Sequence, residues 1–326
     1  MAFHFQFRTL GQVLAGLCLG ACALVSPWAA AQEKPLRIIV GAPPGGTTDT
    51  LARTIGQTMG EAMKRTVIVE NRAGAGGNIA ADFVAKSDPD GDTILMDFTG
   101  HTINATLYKK LPFDTLRDFT PITMVATVPS VLIASRKVPV KDVVELIAYA
   151  RKHPGQLNFA LGAVGSSLHM AGDQFKMIAG LDIVNIPYKG TGPALADVLA
   201  GQTDLMFASS VNVQPHLKSD KIKILGVTST LPLANFPGVR PIGDALKGFE
   251  STAWFGLFGP AKMPPAVTQR LYEAAKVAVD SPGFRQRMEA EGAKPTTMLP
   301  AQFATFVAED IQRWAKVIKF SGATVE

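Results

Sequence analysis

The chain has 326 residues, of which 47% are hydrophobic and 18% charged, with a formal net charge of +5. That length admits two ordinary domains, and the apolar content argues against a disordered chain. The basic bias is mild, with no extended Lys/Arg run and no interleaved aromatics, so no nucleic-acid surface is expected.

In chain order, the N-terminus stands apart. Arg8 is its only charge before Glu33, an apolar stretch runs from Leu10 to Val25, and Ala29, Ala30 and Ala31 follow Pro27. A charged start, an apolar middle and a small-residue end form the pattern of a secretory signal, with cleavage expected after Ala31. The apolar run is a little short for a membrane span. Losing Arg8 takes the formal charge from +5 to +4. Both cysteines, Cys18 and Cys22, lie in this segment. A mature chain from Gln32 therefore has none, which removes disulfides, thiolate metal sites and cysteine nucleophiles together. Leu19-Gly20-Ala21-Cys22 loosely resembles a lipoprotein box; lipid attachment at Cys22 is the secondary reading, because a conventional site follows downstream.

After Gln32, short apolar runs rich in β-branched residues read as buried parallel strands: Leu36–Val40, Val67–Val69, Ile94–Met96, Val131–Ala134, Leu157–Ala160, Ile183–Ile186, Leu205–Phe207 and Ile222–Val227. Helical spacing lies between them. Leu51, Ile55, Met59 and Met63 share one face, as do Val143, Leu146, Ile147 and Ala150. The second of these helices closes on Arg151-Lys152-His153 and then Pro154-Gly155, cations and a stop signal at the negative end of the dipole. From Pro264 onward the pattern is helix only, with Leu271, Ala275 and Val279, then Phe303, Val307, Ile311, Trp314 and Ile318. Strand–helix alternation predicts an α/β fold. Helices without strands at the end must cover sheet built earlier, so the chain leaves a first lobe, builds a second and returns. The expected division is a signal over 1–31, lobe 1 over 32–127 with 254–326, and lobe 2 over 128–253. The crossings are placed near Thr120–Val131 and Ser251–Phe258, making a two-strand hinge beside a cleft that can close on a ligand.

Two loops suggest that ligand. Gly41-Ala42-Pro43-Pro44-Gly45-Gly46-Thr47-Thr48-Asp49 follows the first strand and opens the first helix. Its glycines permit close backbone approach, and the helix start presents free N–H groups and a positive dipole end, which suits an anion. Thr47 stands where a nucleotide loop needs lysine, and a plain strand-to-helix turn capped by Thr47, Thr48 or Asp49 fits equally well. Gly162-Ala163-Val164-Gly165-Ser166-Ser167 repeats the physics in the second lobe. Both follow a strand's carboxyl end, where open α/β sheets bind ligands. Arg72-Ala73-Gly74-Ala75-Gly76-Gly77-Asn78 lacks the dinucleotide spacing and reads as a structural turn.

Catalytic and metal sets are missing. Ser166 and Ser167 lack a nucleophile elbow, and His101, His153, His169 and His216 have no ligand spacing. His101 and His169 adjoin the cleft loops and are candidates to line the site. Asp88, Asp90 and Asp92 around Gly91 lack the later glutamate of a calcium loop and read as a solvated turn. No carboxylate pair stands out for acid–base work, so neither catalysis, a metal nor a cofactor is expected.

The ordered segments Pro43-Pro44-Gly45-Gly46 with Asp49 and Ala52-Arg53, Val69-Glu70-Asn71-Arg72-Ala73-Gly74-Ala75-Gly76-Gly77-Asn78, Pro89-Asp90-Gly91, Leu107-Tyr108-Lys109-Lys110-Leu111-Pro112-Phe113-Asp114, Pro187-Tyr188-Lys189-Gly190, Trp254-Phe255-Gly256 and Trp314-Ala315-Lys316-Val317-Ile318 span Pro35 to Thr324. Across them the chain resembles the Bug family of tripartite tricarboxylate transporter substrate-binding proteins. The resemblance implies a two-lobed, type II periplasmic binding protein with two mixed or parallel sheets. It would be monomeric, capture a small carboxylate through backbone groups and waters, and deliver it to paired membrane subunits. The family's binding positions fall on Gly45, Gly46, Thr47, Thr48, Gly162, Gly165, Ser166 and Ser167, with Thr102 and Tyr188 as further candidates and Ala163, Ala208 and Ser209 completing the set. Asp49 reads as helix-cap support.

One departure bears on specificity. Many members of the family carry Met-Phe-Asp where this chain has Met206-Phe207-Ala208, and that aspartate can pair with a ligand ammonium. Without it, burying an ammonium is costly, so a di- or tricarboxylate or an aromatic acid is expected rather than an amino acid. Charged hydrogen bonds contribute roughly 1.5–3 kcal/mol each and micromolar affinity needs about 8. After association costs, a second carboxylate or an apolar body must add to one helix-start contact. The alternative function is a periplasmic sensor subunit presenting the same ligand to a two-component kinase; a secreted hydrolase is the remaining alternative.

Overall fold

The computed structural model describes residues 34–290 and 292–325. The expected signal, its cleavage at Ala31 and the Cys22 box lie outside the described residues. Pro35–Glu326 forms one compact unit. Among the described residues no helix is long and apolar enough to cross a membrane.

From Pro35 the chain builds two mixed sheets flanked by helices. The first is six-stranded, ordered β11-β4-β10-β3-β1-β2. Its strands are β1 (Leu36–Val40), β2 (Val67–Asn71), β3 (Thr93–Phe98), β4 (Phe119–Val128), β10 (Ala253–Pro260) and β11 (Lys294–Pro295). The second is five-stranded, ordered β7-β6-β8-β5-β9. It contains β5 (Ser130–Ser135), β6 (Asn158–Leu161), β7 (Val184–Pro187), β8 (Leu205–Ser209) and β9 (Ile222–Val227). The helices are α1 (Thr47–Met63), α2 (Asn78–Ala85), α3 (Gly100–Leu107), α4 (Val143–Lys152), α5 (Ser167–Ala179), α6 (Thr191–Ala200), α7 (Ser210–Val213), α8 (Ile242–Ala245), α9 (Pro265–Asp280), α10 (Pro282–Ala290) and α11 (Pro300–Ser321).

The apolar periodicities become faces of the core. Leu51, Ile55 and Met59 of α1 are fully buried against β1, β3 and α9. Val143, Leu146, Ile147 and Ala150 of α4 are buried in the second lobe's core, and Asp142 caps that helix by accepting the Glu145 N–H at 2.8 Å. Phe303, Val307, Ile311, Trp314 and Ile318 form the buried stripe of α11.

Two expectations need correction. Val131–Ala134 is not parallel to its neighbours: β5 runs antiparallel to both β8 and β9. Only Pro129 separates β4 from β5, so β5 begins at the crossing and must run away from it, whereas β6, β7 and β8 return after helices. The chain after Pro264 is not helix only, because Lys294–Pro295 pairs antiparallel with Thr127 and Ala126 at the edge of β4. A two-residue strand has too little pattern to be read from sequence. The extended segments expected at the crossings are β4 and β10, which pair antiparallel over most of their length.

The crossings are cross-linked. Thr228 accepts the Ser130 N–H on its hydroxyl at 2.8 Å and donates its own N–H to the Ser130 carbonyl at 2.9 Å, while Ser251 N–H donates to the Thr228 carbonyl at 3.2 Å. Beneath them lies Asp310 of α11, only 3% exposed. Its Oδ2 accepts from the Thr102 hydroxyl (2.6 Å) and the indoles of Trp254 (2.9 Å) and Trp314 (3.1 Å), and its Oδ1 from Arg313. One carboxylate thus joins α3, α11 and the start of β10. Asp310→Ala leaves two indole N–H groups buried without an acceptor and the Thr102 hydroxyl with the Thr99 carbonyl alone. It should cost about 3–5 kcal/mol in urea unfolding, and a loss under 1 kcal/mol would contradict this role.

Candidate functional site

Strand direction decides where a ligand can bind. β1, β2 and β3 are mutually parallel, and β4 is parallel to them because both β3 and β4 run antiparallel to β10. All four therefore end on the side where β4 runs into the crossing. In the second sheet β6, β7, β8 and β9 run opposite to β5, which starts there, so their carboxyl ends also turn toward the crossings. The loops that open α1, α2, α5 and α6 consequently gather on the inter-lobe side, each at a helix start with its free N–H groups and positive dipole end.

In the first lobe, Gly45 and Gly46 are exposed, Thr47 is half-buried and Thr48 is buried. Gly46 is the N-cap of α1 and no side chain caps this end, so the first-turn amides stay available to an anion. Asp49 holds the loop from behind. Its carboxylate accepts from Gly45 N–H (2.9 Å), Arg53 Nε (3.0 Å) and Asn71 Nδ2 (2.9 Å). Burial would raise its pKa, but the bonds from Arg53, Gly45 and Asn71 outweigh burial and hold the carboxyl below the usual carboxylate range. The expected support role thus has a specific form: Asp49 takes a loop amide and positions Gly45, whose φ of 82° favours glycine. The Gly74–Gly77 turn packs beside it. The Asn104 side chain on α3 donates to the Gly76 carbonyl at 3.0 Å.

In the second lobe, Ala163 is exposed and Gly165 and Ser167 are half-buried. Gly162 abuts Thr191 at the start of α6, where a Cβ on Gly162 would lie 2.9 Å from the Thr191 Cα. Gly165 lies directly on Leu107 of the first lobe, 2.5 Å from a Cβ built at Gly165. Ser166 serves as a cap. Its hydroxyl accepts the His169 N–H at 3.2 Å and donates to the Ala163 carbonyl at 2.8 Å. Gly165 N–H donates to His169 Nδ1 at 3.0 Å, which leaves Nε2 to face Asp173 at 2.9 Å. Asp173 is fully buried, which would raise its pKa, but His169, Lys176 and Asn185 draw it far below the carboxylate range.

Several expected positions have their side chains engaged within the protein in this conformation. Thr102 is fully buried and its hydroxyl goes to Asp310 and to the Thr99 carbonyl. Ala208 is fully buried in the core, paired with Val131. Tyr188 donates its hydroxyl to Asp197 at 2.6 Å. His169 braces the loop from inside, and His101 is 2% exposed among Phe113, Phe119 and Phe258 with Asp97 on its Nδ1 at 3.1 Å. These are capping and core groups whose polar atoms the sequence places near the cleft without showing which way they face. Ser209 remains half-buried at the end of β8.

Some residues escaped the sequence reading. Asp97, 1% exposed at the end of β3, lies 3.2 Å from a Cβ built on Gly41 and 3.1 Å from one on Gly77, so a side chain at either loop would crowd it. Burial pushes its pKa up, against the His101 bond. The signal was present as Asp97 ending a strand four residues before His101. Ser210 carries a buried hydroxyl without a partner beside Ser209, and Thr191 opens α6 inside Pro187-Tyr188-Lys189-Gly190-Thr191. Among the described residues no group of His, Cys, Asp or Glu could hold a metal ion, and Asp90 instead accepts the Asp92 N–H at 2.8 Å in a local turn.

Asp49→Ala should loosen Gly45 and weaken ligand binding about tenfold while shifting the thermal midpoint by only a few degrees, measured by calorimetry and thermal unfolding. Unchanged affinity would show that the Asp49 bond does not shape the loop.

The TctC family, described as "Tripartite tricarboxylate transporter family receptor", matches residues 51–323. Protein BugT of Bordetella pertussis is 33% identical over 316 residues, 95% of this chain and 97% of its own. The structure of R. palustris Rpa4515 with adipate superposes with a TM-score of 0.74 at 31% identity, covering 90% of this chain and 99% of that one. MatC from Rhodopseudomonas palustris with bound malate gives 0.69 at 32% identity, covering 87% and 98%. On this match and this fold, the chain belongs to the TctC family of tripartite tricarboxylate transporter receptors.

Proposed function

We propose that the protein is a periplasmic receptor that captures a small dicarboxylate between its lobes for a tripartite tricarboxylate transporter, and is not an enzyme. One observation carries this reading. The loops at the strand ends of both sheets, residues 41–46, 72–77, 99–100, 162–166, 188–190 and 209–210, contain no Asp or Glu, and their only charges are Arg72 and Lys189. Small residues, helix starts of which α5 alone carries a side-chain cap, and a cationic balance favour an anion that reaches backbone N–H groups.

The carboxylates beside the first-lobe loops are already committed. Asp49 is tied to Arg53, and Asp97 is buried with its pKa raised. Neither is free to meet a ligand ammonium, which supports an amine-free acid independently of Ala208. That rationale also replaces the one drawn from Ala208 alone, whose side chain faces the core. The two ends of a dicarboxylate match the two sets of helix starts, one on each lobe, and Gly45, Gly46, Thr47, Ala163, Gly165, Ser167 and Ser209 are the contact positions proposed. The relatives bound to adipate and to malate are in keeping with that class.

Thermal shift followed by calorimetry on the mature chain tests the assignment with adipate, malate, aspartate and glutamate. A plain dicarboxylate should bind in the micromolar range, about 8 kcal/mol, and more tightly than either amino acid. Tighter binding of aspartate or glutamate would sink the amine-free reading, and no response to any acid would sink the receptor reading.

A further inference from the structure

The crossings divide the space between the lobes. In the first sheet, β1, β2 and β3, which carry the cleft loops, lie to one side of β10 and β4, and β11 lies to the other. In the second sheet, β6, β7 and β8 lie to one side of β5 and β9 to the other. On the far side, behind Pro129 and Thr252, is a cavity of about 480 Å³. Thr296, Phe306 and Arg313 belong to its first-lobe wall, and Leu231 and Leu233 to its second-lobe wall.

Its chemistry is that of a small-molecule site. A volume of this size, lined by apolar and polar residues in equal number, suits a compact organic ligand with an apolar body and a polar end. Leu231, 64% exposed, presents apolar surface on the second-lobe wall. Lys294 and Arg313 outweigh Glu250 in charge around the cavity. Lys294 is exposed and enters no ion pair among the described residues. Arg313 gives one terminal nitrogen to Asp310 and the other to the Glu250 carbonyl at 3.1 Å, while its Nε is buried without a partner.

We propose that this cavity is a second binding site, for a small apolar monocarboxylate, coupled through the crossings to the cleft. Its walls belong to different lobes and lie across the crossings from the cleft loops. A rotation that brings those loops together spreads the far walls, so an occupant that holds the walls apart favours closure on the cleft ligand. By linkage the cleft ligand strengthens the second site by the same factor. The coupling rests on the receptor reading above; the site itself does not.

Calorimetry with 3-phenylpropionate as probe tests the site on the mature chain. Wild type and the cleft variant Asp49→Ala should bind it alike. Thr296→Trp, which fills the cavity, should weaken it at least about tenfold, and Lys294→Glu about threefold to fivefold. Loss of binding in Asp49→Ala with retention in Thr296→Trp would place the probe in the cleft and overturn the proposal, as would no binding at millimolar probe. If Thr296→Trp lowers the thermal midpoint markedly, Lys294→Glu decides. Saturating probe should raise adipate affinity several-fold; an unchanged value overturns the coupling. Failure of adipate to bind wild type would strike the receptor reading instead, and the loss or retention of probe binding in Thr296→Trp would still decide whether the cavity is a site.

Discussion

The chain passes from one sheet to the other with a single proline, Pro129, between β4 and β5, and that constraint orders the molecule. β5 can only run away from the crossing, and β4 can only end at it. Strand–helix–strand returns make the remaining strands parallel to one another, so they end on the same side. Helices that follow those strands begin there, and helix beginnings bring unpaired N–H groups and partial positive charge. The preference for an anion thus follows from connectivity before any side chain is considered.

Side chains act mainly by keeping those backbone groups in place. Asp49, Asn104, Ser166 and His169 each bond to the main chain of a cleft loop or of the helix start behind it. Asp310 does the same at larger scale, joining Thr102, Trp254 and Trp314 below the crossings. A buried carboxylate with all its neighbours bonded rigidifies; with one neighbour removed it becomes a liability.

Much of the architecture was legible in the sequence. β1 and β9 coincide with their apolar runs, the buried faces of α1, α4, α9 and α11 follow 3.6-residue spacing, and both glycine loops follow strand ends. Period and turn chemistry are local, so sequence displays them. Strand direction is not local: Val131–Ala134 looks like a parallel core strand but is antiparallel because of where the chain enters the sheet. The site was less legible for the same reason. Thr102, Tyr188 and Ala208 sit in segments near the cleft, yet their side chains turn to Asp310, to Asp197 and to the core. Asp97 went unread because its importance comes from Gly41 and Gly77, which are distant in sequence and brought together only by the β3-β1-β2 order.

The most direct measurement is a crystal structure of residues 32–326 with adipate at saturation. The account predicts one carboxylate within hydrogen-bond distance of the Thr47 or Thr48 N–H at the start of α1, with the other end reaching the loops that open α5 and α6. Adipate bound elsewhere while these helix starts stay empty would contradict it.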